Sequence, residues 1–436
     1  MAGAGTDSHL AISVSPIIST LPRPYLRPMV PRVLFVDDDR AILDGLRVAL
    51  HRRRGEWDMV FTDGAVAALA QCAQQGFDVI VTDMRMPQVD GAALLSELQQ
   101  TYPDAVRIVL TGHTEVEAGL RTVPTAHQYL VKPCGRDVLV GVIQRACQLR
   151  ATLKNDRVRR LLGGIGGLPA APLSHRRLTA ALAQPGRPLA DVAASIELDI
   201  ALSAKVLQLA NSSFIGLGRS MSSVSEATSY LGASMLRKAV HSFTGPDTPR
   251  VEAAREGGVV ETLQRHSLHV ARIARRLAAS PRAAEDAFTA GILHEVGRLF
   301  LATHMPAEFA ASLERAADND EPLVTVEKAM FGASHAELGA YLLGIWGLPR
   351  SIVDAVGGHH TLDEPSPDMN DVSVLLRLAE SLSKRTAPWS NLDPGARGGE
   401  FNADFELDRF DASAQWHEMA VNLGRELAQE LQEQDD

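Results

Sequence analysis

Carboxylates, a hydroxyl and an ammonium group stand at the ends of short apolar runs in the first third of the chain. VLFV at 33–36 runs into Asp37-Asp38-Asp39, DVIV at 78–81 continues through Thr82 to Asp83, RIVL at 107–110 ends at Thr111, and QYLV at 128–131 ends at Lys132-Pro133. Clustered carboxylates bind a hard divalent ion such as Mg²⁺. A carboxylate left free among them can attack phosphorus, with a hydroxyl and an ammonium stabilising the phosphoryl oxygens. A second set lies further on: His266, His294-Glu295, His335, His359-His360 and Glu380. Imidazoles and carboxylates gathered between helices suit a transition metal, iron, manganese or zinc. The competing reading is a network of buried side chains that hydrogen-bond one another and fix the helices.

These groups need elements to position them. The four apolar runs alternate with amphipathic stretches such as AILDGLRVALHRR and GAALLSELQQ, the pattern of parallel βαβ units in an α/β doubly wound domain from Arg32 to about Leu153. In such a sheet the carboxyl ends of neighbouring strands converge on one crevice. After Pro133, LVGVIQRACQLRATL spaces Leu139, Val142, Ala146, Leu149 and Leu153 as a helical seam, for a packed terminal helix or for one that forms a dimer or carries a signal. GGIGGLPAAP at 163–172 predicts a helix break and hinge; no strand precedes it, so it does not match a phosphate-cradling loop. The remainder reads as helical, split by TGPDTPRVEAAREGG into a smaller and a larger lobe. KVLQLANSSFIG predicts a helix that ends at Asn211-Ser212-Ser213, residues that compete with helical hydrogen bonds. Beyond about Pro388 a turn-rich stretch, NLDPGARGGEFNADFELD, leads to a last amphipathic helix.

At 436 residues and 45% hydrophobic content the chain has room for two or three cored domains. No apolar run approaches the ~20 residues of a membrane span. The first thirty residues lack the features of a secretory signal and read as a flexible leader. Three scattered cysteines argue against a disulfide framework and for a cytoplasmic location. A net charge of −10 and the lack of a basic recognition helix argue against nucleic acid as a partner. HRRR at 51–54 reads as the solvated end of a surface helix.

VDD, TDMRMPQVDG, LTG and VKP, in that order, resemble the receiver domain of two-component response regulators across about 120 residues. The resemblance implies a flavodoxin-like fold with Asp83 as phosphoacceptor. It also implies Mg²⁺ held by Asp37, Asp38, Asp83 and the backbone of Arg85, with Thr111 and Lys132 reading the phosphoryl group and Tyr129 as switch aromatic. Two departures stand out: Met84 and Arg85 after the acceptor bear on water access, and Pro124 shortens the helix before the last strand.

LQLANSSFIG, SVSEATSYLG, GILHEVGRLFLA, FGASHAELGAYLLGIWGLP and the paired histidines resemble the HDOD domain over roughly residues 158–388. That all-α domain, of HD-like helical architecture, is related to the HD and HD-GYP phosphohydrolases. Carried over from those relatives, the ligand positions are His266, His294, Glu295, His335, His359, His360 and Glu380. Here both aspartates of the relatives are glutamates, the lysine after the motif glycine is Arg298, and TLDEPSP replaces Gly-Tyr-Pro.

The implied organisation is a leader (1–30), a receiver (31–153), a linker or hinge (154–172), an HDOD domain (173–390, lobes about 173–245 and 255–390) and a C-terminal segment and helix (391–436). The implied function is a phosphorelay response regulator. A sensor histidine kinase or phosphotransfer protein would phosphorylate Asp83, and a non-catalytic HDOD output would act through a protein partner or homodimerisation. The alternative is a receiver-regulated, HD-GYP-like metal-dependent phosphodiesterase acting on a cyclic dinucleotide.

Overall fold

The computed structural model describes residues 30–87, 89–112, 125–165, 168, 170, 172–184, 186–211, 220–243, 258–360, 368–386 and 413–435. The leader, Pro124, Ser212 and Ser213, most of TGPDTPRVEAAREGG, TLDEPSP and the whole of the turn-rich stretch lie outside the described residues.

The first domain is a five-stranded parallel sheet: β1 (Arg32–Val36), β2 (Asp58–Thr62), β3 (Val79–Asp83), β4 (Val106–Gly112) and β5 (Gln128–Lys132), in the order β2-β1-β3-β4-β5. The strands β1, β3 and β4 bury side chains on both faces, which is why they read as unbroken apolar runs. The edge strand β2 is absent from the apolar runs because DMVFT opens on a charge and buries only Thr62. Around the sheet lie α1 (Arg40–Ala49), α2 (Ala65–Gln74), α3 (Gly91–Thr101) and α4 (Arg136–Thr152). Asp39 and Asp90 start α1 and α3 by accepting from the amides of Ala41 and Ala93. The basic run does not end a helix: α1 stops at Ala49, and His51–Arg53 form a separate 3₁₀ turn in which Arg53 pairs with Glu56.

The seam of α4 buries Leu139 and Ala146, and Leu149 packs on the helical part of the same chain. One helix break falls ahead of the glycine run and another within it, after Gly164. The helix α4 ends at Thr152, and Asn155 caps α5 (Asp156–Gly164) by accepting from the amides of Arg157 and Val158. Gly163 is a packing residue rather than a hinge, since a Cβ there would lie 1.9 Å from the Pro103 carbonyl oxygen.

The rest is helical: α6 (Pro172–Ala183), α7 (Leu189–Glu197), α8 (Ile200–Asn211) and α9 (Val224–Phe243), the last interrupted at Gly232 with φ +70°. Then follow α10 (Val259–Leu277), α11 (Pro281–Leu293), α12 (Val296–His304), α13 (Pro306–Asn319), α14 (Leu323–Phe331), α15 (His335–Ile345), α16 (Arg350–Gly358), α17 (Val372–Thr386) and α18 (Ser413–Asp435). Asn211 closes α8 as its composition predicts, donating to the Leu207 and Met221 carbonyls and accepting from the Met221 amide. The helix α10 packs against α11, α17 and α18. No helix among the described residues is long and apolar enough to cross a membrane. The three cysteines are free.

Candidate functional site

The strand ends bring Asp37, Asp83 and Lys132 together. Lys132 Nζ lies 2.7 Å from Asp37 Oδ2 and 2.5 Å from Asp83 Oδ1, and the Arg85 amide donates to Asp83 Oδ2 at 2.8 Å. Asp37 Oδ1 accepts from the Asp39 amide, while Asp38 is exposed beside it. Thr111 and Tyr129 are buried on the adjoining strands β4 and β5. Burial pushes the Asp83 carboxyl up, with Asp37 adding to the effect, although Lys132 opposes both. The same two carboxylates outweigh the burial of Lys132 and raise its pKa. Two acids sharing one ammonium, with a third acid at the rim, suit an added divalent cation.

The second set also converges. His266, His294, Glu295 and Glu380 form one group and His335, His359 and His360 another, the ligand atoms within each lying within 4.8 Å of one another. They come from α10, the α11–α12 junction, α15, the end of α16, and α17. His266 Nε2 is 3.3 Å from His294 Nε2 and 3.0 Å from Glu380 Oε2, and His294 Nε2 is 3.3 Å from that oxygen. Glu295 Oε1 stands 3.8 Å and 3.6 Å from His266 and His294, while its Oε2 stands 3.8 Å from His335 Nε2. A tetrahedral ion with bonds of ~2.0–2.1 Å would space its ligand atoms about 3.4 Å apart. The first group matches that spacing, and Glu295 faces both groups.

The outward hydrogen bonds fix which ring nitrogens turn inward. The Gly291 and Val356 carbonyls lie 2.7 Å and 2.6 Å from the Nδ1 of His294 and His359, and Glu327 Oε2 lies 2.6 Å from His335 Nδ1. Acceptors at those positions place the proton on Nδ1 and leave a lone pair on Nε2. For His266 the path is longer. The Ala420 carbonyl faces His269 Nε2, Ser383 Oγ lies between His269 Nδ1 and His266 Nδ1, and one proton order satisfies all of them with His266 Nε2 bare. His359 Nε2 and Glu295 Oε2 are buried without a hydrogen-bond partner among the described residues. Inward lone pairs and carboxylates call for a cation, and these residues fit a metal.

The electrostatics agree. Burial alone would lower the His294 pKa, but Glu380 and Glu295 outweigh it and raise it. Burial works against the charge of Glu295 as well, yet Arg298 and the surrounding imidazoles bring its pKa down to about 2. Glu380 is likewise held low against its burial by His266 and Lys384. His359 and His360, where burial dominates, fall well below the usual imidazole value. Each carboxylate also has a fixed cation: Arg298 Nη1 lies 3.0 Å from Glu295 Oε1, and Lys384 Nζ 3.2 Å from Glu380 Oε1.

The residues that orient the imidazoles, Glu327, Ser383 and His269, are absent from the sequence reading. Glu327 lies eight positions before His335 inside the apolar helix LVTVEKAMF, and its one signal is a charge that α14 buries completely.

A parallel α/β domain with an acid pocket at its strand ends, followed by helices around a histidine-carboxylate cluster, defines the class. Models of the response regulator receiver domain and of the HDOD domain match residues 33–144 and 168–362, so the chain carries a receiver domain followed by an HDOD domain. Among curated proteins it resembles the hydrogenase transcriptional regulatory protein HoxA of Cupriavidus necator, at 34% identity over 129 residues, 29% of this chain and 26% of that protein. It resembles the DNA-binding transcriptional regulator NtrC of Escherichia coli at 36% over 115 residues, 26% and 24% of the two chains. The chain thus spans about a quarter of the length of these relatives. Among solved structures, the MmoQ response regulator of Methylococcus capsulatus is 26% identical, with 58% of this chain and 98% of that one covered and a TM-score of 0.44.

Proposed function

We propose that this protein is a response regulator that takes a phosphoryl group on Asp83 and passes the resulting change to its HDOD domain, which acts by protein contact. The observation that carries this reading is the pocket of Asp37, Asp83 and Lys132 at adjoining strand ends, with Thr111 buried beside it. A carboxylate oxygen of Asp83 attacks the phosphorus of a phosphohistidine, the new O–P bond forms as the N–P bond breaks, and the imidazole of the donor leaves with the electron pair. Lys132 stabilises the equatorial oxygens and moves with the charge that Asp83 loses. Asp37, Asp38 and Asp83 are the residues that would hold Mg²⁺, which supplies positive charge to the transferring group. The donor is a sensor histidine kinase or a phosphotransfer protein.

The geometry of the helical domain supports contact rather than phosphodiester hydrolysis as its output. Six of the seven cluster side chains are at most 2% exposed, and Arg298 and Lys384 hold the two carboxylates. Such a cluster retains a metal or a proton and stiffens the helices around it. His266, His294, Glu295 and Glu380 would hold a first iron, manganese or zinc ion, whose charge would be neutralised by the carboxylates.

Hydrogen exchange on the full chain, before and after loading with beryllofluoride and Mg²⁺, tests the transmission. Protection is expected to change in HDOD segments as well as around Asp83, and not to change in Asp83→Asn. Changes confined to residues 33–144 would overturn the proposal.

A further inference from the structure

The receiver and the helix that follows it hold α15 at both ends. At its C-terminal end, Leu149 of α4 packs on Gly344 so closely that a Cβ there would lie 2.5 Å from the Leu149 Cδ1, and Gln128 Nε2 of β5 donates to the Gly344 carbonyl at 3.4 Å. Ahead of its N-terminal end, Asn155 Nδ2 donates to the Phe331 carbonyl at 2.7 Å, and Gly332, at φ +76°, packs beneath the same side chain. That turn separates Glu327 from His335, the pair joined at 2.6 Å that aims His335 Nε2 at the second group of ligands. Ser334 and Glu337 close a capping box over the same residues, so the turn and the start of α15 move as one piece.

Gln128 opens β5, whose other end carries Lys132, and α4 runs from just after Lys132 to just before Asn155, so β5 and α4 span from the phosphorylation pocket to the two contacts. Helix shifts of ~1–2 Å are usual in switching proteins. Metal ligands tolerate much less: bond lengths hold to within about 0.2 Å.

We infer that Asn155 and Gln128 couple the phosphorylation state of Asp83 to metal affinity at the histidine-carboxylate cluster, by setting the position of α15 and with it His335. This rests on the reading of the cluster as a metal centre. Coupling between two binding sites is reciprocal. A phosphoryl mimic that changes metal affinity by some factor is therefore matched by metal changing the affinity for the mimic by the same factor.

The test uses the full chain, stripped with chelator, then titrated with Mn²⁺ or Zn²⁺ in excess Mg²⁺, with and without beryllofluoride. Fluorine NMR reports loading of the receiver. Expected are binding without beryllofluoride, a change of roughly five-fold or more on loading, the reciprocal change for beryllofluoride, and loss of the coupling in Asn155→Ala. Asn155→Ala should bind metal with the same affinity whether or not beryllofluoride is loaded, and Gln128→Leu provides a second variant should the first fail to fold. Binding that ignores beryllofluoride overturns the inference alone. No binding by folded protein in either state overturns the metal centre and the inference together, and failure to load overturns the receiver reading with it.

Discussion

At the scale of single residues, a buried cation has a measurable cost. Lys205 on α8 is buried, and burial lowers its pKa from 10.5 to about 7. Between those values the unfolded chain binds the Lys205 proton and the folded one does not, so this residue makes stability rise with pH from about 7 toward 10.5. Lys205→Met should stabilise the protein at pH 7, by an amount on the order of a few kcal/mol, and flatten that rise. Thermal unfolding of both proteins between pH 7 and 9.5 checks it; parallel slopes would show that Lys205 does not titrate in the window. Which residues the fold brings together was largely legible in the sequence, because motifs such as VDD, VKP and GILHEVG fix type and spacing together. Glu327, Ser383 and His269 were not, since each works through a neighbour brought in by the fold. The role of Arg298 beside Glu295 likewise needed the geometry of α12.

At the scale of elements, close approach is decisive. A Cβ at Gly297 would lie 2.0 Å from the His335 carbonyl oxygen, so α12 and α15 cross with their backbones in contact beside the cluster. Gly297→Ala should force the helices apart and destabilise the fold by ~1–3 kcal/mol or more. Urea unfolding measures it, and an unchanged midpoint would mean that the contact is easily relieved. The apolar runs revealed the central strands of the sheet and the seam of α4. The edge strand β2 was hidden by its charge and half-exposed face, and the break after Thr152 by the absence of glycine or proline there. Asn155 makes that break by capping, a signal weaker in sequence than the glycine run that follows.

At the scale of the whole molecule, the two domains meet through more than a linker. Arg107 of β4, fully buried, donates to the carbonyls of Pro103, Ala105, Thr125 and Gly163, tying the sheet to the end of α5. Gln208 of α8 reaches the His127 carbonyl from the helical side. The Arg107–Gly163 and Gln208–His127 contacts join residues far apart in sequence and have no local pattern, which is why 154–172 reads as a hinge from sequence. They make the receiver and the HDOD domain candidates for two parts of one switch, a role that depends on Asp83 accepting phosphate. The most direct measurement is peptide-level mass spectrometry of the full chain after treatment with a phosphodonor, alongside Asp83→Asn. The account predicts the phosphoryl group on Asp83 and no labelling of the variant. A group on another residue, or equal labelling of Asp83→Asn, would contradict it.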